Sequence, residues 1–339
     1  MASKSKMTIK DIARELGVSI STVSRALRDN PEISLKTRKM VQDYAQAHHY
    51  KPNALAMNLR TSHSKTVGVI IPQFVHHFFS CVLSGIEKAA KEEGYILLVS
   101  QSNEKYEDEK RIIQTFEAAQ VCGVITSLAK NTKVYDHYKE LISNDIPLVF
   151  YDRICPEVST ERVVVDDYAG SFTAVEYLIQ TGCKHIYFYS SDPKLEISKN
   201  RRNGYLDAMK RYNISVEDDM VQICDTREQA LAMTPNIIEN ASLRPDAFFA
   251  VNDETASGIL RVCKQMNINV PDEISICGFT DGEVAMSTDP KLTTVGQNGE
   301  EVGKAAFELL LHRINSDENP PRMRNHIVRT NLIVRGTTK

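Results

Sequence analysis

Two kinds of hydrophobic pattern divide the chain. Through about the first 65 residues, apolar side chains recur every three or four positions, which is the spacing of amphipathic helices. From Thr66 onward, short apolar runs alternate with helical segments, as where Val67–Ile71 precedes a helix predicted over residues 78–93. Continuous apolar strands separated by helices indicate a parallel sheet covered on both faces. We therefore predict an all-α head and a larger α/β body.

The head has the signals of three helices. Thr8 and Asp11 have the spacing of a capping box, so a first helix is expected to begin there. Gly17 ends that helix, because glycine takes a positive φ at little steric cost. Ser19 is then placed to cap a second helix, and a third helix is predicted after Ser34. Two helices joined by a tight glycine turn predict a helix-turn-helix unit.

The second helix supplies the candidate DNA-reading surface. Ile20, Ser21, Ser24 and Arg25 lie away from its apolar face, and the N-terminal end of such a helix enters the major groove. Arg25 can donate two hydrogen bonds to a guanine edge, while Ile20 and Ser21 can meet a thymine methyl group or a base edge. The alternative is that these are ordinary exposed helix residues.

A short segment follows the head. Residues 52–60 predict about two helical turns, which are too few to be stable without a partner. One interpretation is a linker with a core leucine at Leu59. The other is a hinge helix whose Leu59 wedges into a minor groove.

The charge of the chain is distributed unevenly between the head and the body. Residues 1–65 carry net +7 and the remainder carries net −10, within an overall charge of −3. A small basic head on a larger acidic body favours a polyanion-binding module joined to a second function. The chain has 339 residues, which allows two or three domains, and no apolar run is long enough for a membrane span. We expect helix-turn-helix, hinge and core regions at residues 1–50, 51–65 and 66–339.

The body repeats its alternation of strands and helices. A second series starts at Val163, so we expect two doubly wound parallel-sheet halves with a ligand site at the carboxyl ends of their strands. The sequence contains neither Gly-x-Gly-x-x-Gly nor a P-loop, and we predict no cofactor and no metal site. It also lacks a recognisable nucleophile motif, so an enzyme is not expected. Seven scattered cysteines indicate reduced thiols in a cytoplasmic protein.

Long motifs in the head resemble the lactose-repressor/galactose-repressor family; they are Thr8–Leu27, Ser34–Arg38 and Tyr50–Leu59. The resemblance implies that Ile20, Ser21 and Arg25 read bases and that Leu59 intercalates at the operator centre. It also implies a homodimer on a palindromic DNA operator. The remaining DNA contacts that it implies are Thr8, Ser19, Thr22, Ser24, Asn53 and Ala56.

The resemblance extends through the body. Its motifs are Phe78-Phe79, Phe150–Arg153, Arg201–Tyr205, Ala250–Asp253, Ile274–Phe279 and Leu292–Val295. It implies a core like that of periplasmic sugar-binding proteins, with three crossovers that allow hinge closure on a ligand. The subdomains are then expected at about 66–163 with 294–321, and 164–293 with 322–339.

Ten residues are predicted to line the ligand site: His76, Phe78, Phe79, Asp152, Arg153, Arg201, Asn252, Asp253, Thr280 and Gln297. The two phenylalanines either stack on a sugar ring or belong to the core. Asp152 and Arg153 either line the cleft or simply pair with each other. The family usually has an aspartate where this chain has Thr280, and Asp281 follows one place later.

These features predict a cytoplasmic, dimeric repressor controlled by a sugar or a sugar-derived effector. One alternative keeps the DNA-binding role but gives control to a non-sugar ligand or a protein co-regulator. The other alternative is a solute-binding protein, which would need an export signal and no basic head.

Overall fold

The computed structural model describes residues 7–48, 50, 64–316 and 323–339. Two compact units divide the chain between Ser64 and Lys65. Most of the predicted hinge and linker, including Asn53, Ala56 and Leu59, lies outside the described residues.

The described residues of the first unit form three helices, α1 (Ile9–Glu15), α2 (Ile20–Ala26) and α3 (Leu35–Ala47). The predicted capping box is confirmed, because Thr8 accepts a hydrogen bond from the Asp11 amide and the Asp11 carboxylate accepts one from the Thr8 amide. Ser19 and Ser34 each accept an amide hydrogen bond from the residue three positions further on. Gly17 has a φ of +62° in the turn between α1 and α2. The helix-turn-helix prediction is therefore confirmed.

The first of two six-stranded sheets is entirely parallel among its described pairs and has the order β11-β5-β4-β3-β1-β2. Its strands are β1 (Thr66–Ile71), β2 (Ile96–Gln101), β3 (Gly123–Thr126), β4 (Leu148–Tyr151), β5 (Glu161–Val165) and β11 (Asn325–Val328). The helices of this subdomain are α4 (His77–Glu92), α5 (Tyr106–Ala118), α6 (Asp136–Ser143) and α12 (Gly299–Ile314).

The second sheet has the order β12-β10-β9-β8-β6-β7, in which β12 runs antiparallel to β10 and the other described pairs are parallel. Its strands are β6 (Ile186–Ser190), β7 (Val221–Ile223), β8 (Ala247–Ala250), β9 (Ser275–Thr280), β10 (Thr293–Gly296) and β12 (Asn331–Ile333). Its helices are α7 (Asp167–Gln180), α8 (Glu196–Arg211), α9 (Arg227–Asn240), α10 (Asp253–Gln265) and α11 (Glu283–Ser287), with a 3-10 turn at Asp218–Met220.

The apolar runs of the strands are explained by burial of both faces of the sheets, as the sequence pattern predicted. Successive side chains of a strand point to opposite faces of a sheet. In β1, Val69 and Ile71 belong to one buried cluster, whereas Ile70 belongs to a different one. In β8, Phe248 and Phe249 divide between two clusters in the same way. Both faces of these central strands are covered, so their positions favour apolar residues.

Three segments of the chain pass between the subdomains, at positions that differ from those expected. They follow Val165, Gly296 and Val328, whereas the expected ranges 66–163, 294–321, 164–293 and 322–339 placed them near 163, 293 and 321. The largest difference concerns residues 325–328, which were expected in the second subdomain. They lie in the first sheet because β11 pairs in parallel with β5.

Glycines allow α4 and α12 to pack with their backbones close together. A Cβ atom added to Gly303 would lie 2.0 Å from the carbonyl oxygen of Val82. A Cβ atom added to Gly85 would lie 2.1 Å from the carbonyl oxygen of Glu300. Both neighbours are backbone atoms, so neither can move aside as a side-chain end would.

We predict that Gly303→Ala lowers the free energy of unfolding by about 1–3 kcal/mol, because the helices must separate. Alanine is the better helix former by about 1 kcal/mol, which offsets part of this loss. Urea unfolding measures the change, and Glu87→Ala, at an exposed position of α4, serves as control. A Gly303→Ala protein as stable as the control would contradict the requirement for close approach.

Candidate nucleic-acid interface and ligand cleft

The exposed face of α2 contains the residues predicted to read bases. Ile20 is 48% exposed, and Ser21 and Arg25 are also exposed. Val23 and Ala26, on the other side of the helix, are fully buried in the head. The predicted division of this helix into a buried and an exposed face is therefore confirmed.

Arg25 is paired with an exposed carboxylate. Its Nη1 atom donates to Glu32 Oε2 at 3.1 Å, and both side chains are largely exposed. Exposed ion pairs contribute about 0–1 kcal/mol, so the guanidinium can leave Glu32 at little cost. Glu32 lies seven residues beyond Arg25 and outside α2, which is why helical spacing did not indicate the pair.

Polar side chains cluster at the N-terminal end of α2. The Ser19 hydroxyl lies 2.7 Å from the Ser21 hydroxyl and 2.8 Å from the Thr22 hydroxyl. Near the other end, Arg28 donates to the Ser24 hydroxyl at 2.9 Å. Amide and hydroxyl donors at a helix N-terminus suit a phosphate oxygen.

The body contains a cavity of about 810 Å3 between its two subdomains, which we call the cleft. Its walls are formed largely by residues that follow the carboxyl ends of strands in both sheets. All ten residues predicted for the ligand site lie along it: His76, Phe78, Phe79, Asp152, Arg153, Arg201, Asn252, Asp253, Thr280 and Gln297. The sequence thus identified side chains that the fold brings together from widely separated positions.

Two aromatic side chains belong both to the cleft and to the core. Phe78 and Phe79 are 3% and 2% exposed, and they pack in the hydrophobic cluster beneath the first sheet. Phe79 meets the ring of Tyr151 edge-on at 6.3 Å and lies 5.4 Å from the Arg153 guanidinium. These phenylalanines therefore belong to the core, and they also lie where they can contact a ligand in the cleft.

His76 is a neutral polar group in the cleft wall. Its ring lies 5.1 Å from that of Phe79, and its Nδ1 atom is buried with no hydrogen-bond partner among the described residues. Burial lowers the pKa of His76 to about 4, and the nearby charges of Arg153 and Lys130 act in the same direction. The imidazole of His76 is therefore uncharged near neutral pH.

Asp152 and Arg153 point to different partners. Arg153 Nη1 donates to both carboxylate oxygens of Glu104, at 2.9 and 2.7 Å. The Asp152 carboxylate accepts no hydrogen bond from the described residues, and its nearest cationic atom is Arg153 Nε at 3.9 Å. Asp152 is 5% exposed, and burial raises its pKa above the ordinary value. Its φ of +58° is the left-handed backbone that is often found at functional sites.

Arg201 is held by a buried network rather than a surface salt bridge. Its Nε and Nη2 atoms lie 2.8 and 2.7 Å from Asp167 Oδ1, and Nη1 donates to the Val251 carbonyl at 2.6 Å. Its guanidinium also lies 3.7 Å from the centre of the Phe279 ring. Burial raises the pKa of Asp167 to about 6, although Arg201 opposes the shift.

Asn252 and Asp253 form the polar start of α10. The Asn252 side chain caps the helix by accepting from the Thr255 amide, and it donates to the Asp225 carbonyl at 2.9 Å. Asp253 accepts from the Gly282 amide at 2.8 Å and from the Thr294 hydroxyl at 2.5 Å. These contacts fix both side chains where β8 ends.

Asp281 does not replace the family aspartate in the cleft. Thr280 lies in the cleft and donates to Gln297 Oε1 at 3.0 Å. Asp281 is not among the cleft residues, and its carboxylate pairs with Arg335 Nη2 at 2.6 Å. This position therefore contributes a hydroxyl group to the cleft in place of a carboxylate.

Sequence reasoning missed an ion pair that joins the two subdomains. Lys130, which follows β3, donates to Asp225, which follows β7, at 2.8 Å. Glu104, which follows β2, accepts from the Lys130 amide at 2.9 Å as well as from Arg153. All three are polar residues after strands, so the reasoning that identified Asp152 would also have found them.

Comparison with known proteins identifies the family. The profile described as bacterial regulatory proteins, lacI family, matches residues 8–53, and that of a periplasmic binding protein-like domain matches residues 175–338. The HTH-type transcriptional repressor PurR of Vibrio campbellii is 30% identical over 334 residues, covering 98% of both chains. The repressor CytR of Escherichia coli strain K12 is also 30% identical, covering 98% of this chain and 96% of CytR. This chain belongs to the lacI family.

Solved structures of similar proteins show the same fold. The Lac repressor dimer bound to operator and the anti-inducer ONPF gives a TM-score of 0.85, with 22% identity, and covers 98% of this chain and 99% of its own. The complex of the transcriptional regulator CelR with cellobiose gives 0.74, with 24% identity and the same two coverages. The periplasmic binding protein/LacI transcriptional regulator from Alkaliphilus metalliredigens, complexed with D-xylulofuranose, gives 0.70 with 26% identity, covering 81% of this chain and all of its own.

The family assigns a role to the head. The relatives are transcriptional repressors and not enzymes, so this lacI-family member is a transcriptional repressor that binds DNA. Its core is of the periplasmic-binding-protein type, which suits control by a small molecule. No helix in the described ranges is long and apolar enough to cross a bilayer.

We predict that His76 makes the protein less stable in acid. Its pKa is about 4 in the folded protein and near 6.5 when unfolded, so between these values the unfolded chain binds the proton. The contribution of the neutral His76 side chain to the free energy of unfolding is therefore fully present above about pH 6.5, and it is lost as the pH falls through 4. Between about pH 7 and pH 4.5, His76→Asn should lose about 2 kcal/mol less unfolding free energy than the unmodified protein.

Asp152 and Asp167 have raised pKa values and so act in the opposite direction. They are present in both proteins and cancel in the difference. His326→Asn, at an exposed position of β11, is the control. Equal pH dependence in the His76 and His326 variants would contradict the buried neutral imidazole.

Proposed function

We propose that this repressor is a cytoplasmic homodimer that binds a palindromic operator and responds to a sugar or a sugar-derived effector. Operator bases are read by Ile20, Ser21 and Arg25. Phosphates meet the polar N-terminal ends of α1 and α2. A two-fold symmetric dimer matches a palindromic site because each head then meets the same half-site.

The DNA-binding half of the proposal is supported by exposure and charge. Ile20 is exposed at the polar N-terminal end of α2, Arg25 is exposed in its last turn, and residues 1–65 carry net +7. A basic surface supplies affinity for the phosphate backbone, whereas a guanidinium on a groove-entering helix supplies sequence discrimination. Asn53, Ala56 and Leu59 complete the proposed contacts, with Leu59 as the minor-groove wedge.

The effector half is supported above all by Asp152. The Asp152 carboxylate accepts no hydrogen bond from the described residues, so its oxygens are available to donors that enter the cleft. Asp152 lines the cleft with the Phe78 and Phe79 rings, which suit the apolar face of a sugar. Vicinal hydroxyl groups supply the donors that Asp152 lacks. The regulators bound to cellobiose and to D-xylulofuranose have the same fold as this chain.

Control follows from the position of the cleft between the subdomains. A ligand that contacts residues of both sheets favours the closed arrangement, and any difference in operator affinity between the two arrangements links the two sites. The effector and the operator then change each other's affinity by the same factor. That linkage is the proposed mechanism of regulation.

Arg25→Ala should reduce affinity for the operator by about 1–3 kcal/mol, because it removes the bidentate base contact. Operators selected from random DNA and measured by fluorescence anisotropy provide the test. Arg14→Ala is the matched control, because it removes the same charge from exposed α1. If both variants bind equally well, Arg25 is not a base-reading residue.

The effector is sought by thermal shift with a panel of mono- and disaccharides. A ligand at 100 times its dissociation constant stabilises the folded state by about 2.7 kcal/mol. We expect a hit that Asp152→Asn weakens at least roughly tenfold, a loss of about 1.4 kcal/mol. Asp145→Asn, at an exposed turn position, should leave it unchanged. A panel without a hit would remove the sugar effector and favour a protein co-regulator.

A further inference from the structure

The cleft has an excess of negative charge. Among the described residues that line it, seven are aspartate or glutamate and four are lysine or arginine. Asp167, directly behind Arg201, adds an eighth carboxylate close to the cleft. The charge of this lining bears on which effectors can enter.

Each buried or half-buried cation of the cleft is already neutralised by the protein. Arg201 is paired with Asp167 at 2.7 Å, and Arg153 is paired with Glu104 at 2.7 Å. Lys130 is paired with Asp225 at 2.8 Å. The fourth cation, Arg227, is an exposed residue in the first turn of α9. The deep part of the cleft therefore has no spare positive charge among the described residues.

Two carboxylates have no cation at hydrogen-bonding distance. Asp152 accepts no hydrogen bond from the described residues, and Arg153 Nε is 3.9 Å away. Asp253 is held by an amide and a hydroxyl group, which are uncharged donors. An anion that entered the cleft would meet these two charges. A group that donates hydrogen bonds would be stabilised by them.

A phosphate group could recruit a guanidinium only by breaking a buried pair. Arg201 and Asp167 are 4% and 2% exposed, so moving Arg201 would leave a carboxylate buried without its counter-ion. Removing one partner of a buried pair is strongly unfavourable for this reason. The N-terminal amides of α4 have no side-chain cap at His76, and their partial positive charge, equivalent to about half an elementary charge, would favour an anion; the carboxylates of Asp152 and Asp253 oppose it.

We infer that the effector is an uncharged, non-phosphorylated polyhydroxyl compound that donates hydroxyl protons to Asp152, and that the cleft rejects its phosphate esters. This inference rests on the proposed function of the cleft. It adds the charge of the ligand, which we infer from the way the charged side chains of the cleft are paired with one another.

The test compares neutral sugars with their own phosphate esters. Isothermal titration calorimetry of the full chain is performed with glucose and glucose 6-phosphate, ribose and ribose 5-phosphate, fructose and fructose 1-phosphate, and xylulose and xylulose 5-phosphate. We expect a neutral member to bind and its ester to bind roughly 100-fold more weakly, or not at all. An ester that binds as tightly as its parent sugar overturns the inference but leaves a sugar-derived effector in place. If no member of any pair binds, the sugar effector fails and the inference fails with it.

Two variants test the physical cause. Glu104→Gln and, independently, Asp225→Asn each remove the counter-ion of one cleft cation while conserving side-chain shape. Each should reduce the preference for the neutral sugar over its ester at least roughly tenfold. Glu107→Gln removes an exposed carboxylate from α5 outside the cleft and should not change this preference. A preference that stays within about twofold in both test variants would overturn the role assigned to internal charge pairing.

Discussion

The cleft depends on one constraint, the direction of the strands. In a parallel sheet every strand ends at the same edge, so the residues that follow β1, β3 and β4 are brought together although they are far apart in sequence. The second sheet does the same for the residues after β6, β7 and β8. Because the central strands are largely apolar and buried on both faces, most of the polar side chains of the cleft come from the strand ends and the loops that follow them. Two such edges make a polar cavity with aromatic walls.

The charged side chains of this cavity are buried, so each of them needs a partner of opposite charge or a hydrogen bond. Arg201 and Asp167 are removed from water together, and each is tolerable there only because the other is present. Phe279 covers one face of the guanidinium, and the Val251 carbonyl accepts from it, so the position of the arginine is fixed from several sides. Asp152 has no such close partner among the described residues, because Arg153 Nε is 3.9 Å from its carboxylate. In the cleft the cations are therefore paired with carboxylates of the protein, whereas the Asp152 carboxylate can still accept hydrogen bonds. This difference favours a ligand that donates hydrogen bonds over one that carries a negative charge.

Sequence reasoning succeeded where a feature depends on local order along the chain. Helix caps at Thr8, Ser19 and Ser34, and polar residues after apolar strands, follow from hydrogen-bonding needs within a few residues. It failed where distant residues choose among several partners. Asp281 pairs with Arg335, 54 residues away, and Lys130 pairs with Asp225, 95 residues away. The strand β11 was placed in the wrong subdomain for the same reason, since its short sequence does not specify β5 as its neighbour.

The ion pair between Lys130 and Asp225 is one contact that holds the two subdomains close together. It joins a loop of the first sheet to a loop of the second, so separating the subdomains must break it. A ligand changes the balance between closed and open arrangements only by the difference in its affinity for the two. Residues from both sheets line the cleft, so ligand contacts to both are complete only when the subdomains are close. In the proposed mechanism the effector and this ion pair favour the same arrangement, and the operator senses the ligand only if the DNA-bound protein prefers one arrangement over the other.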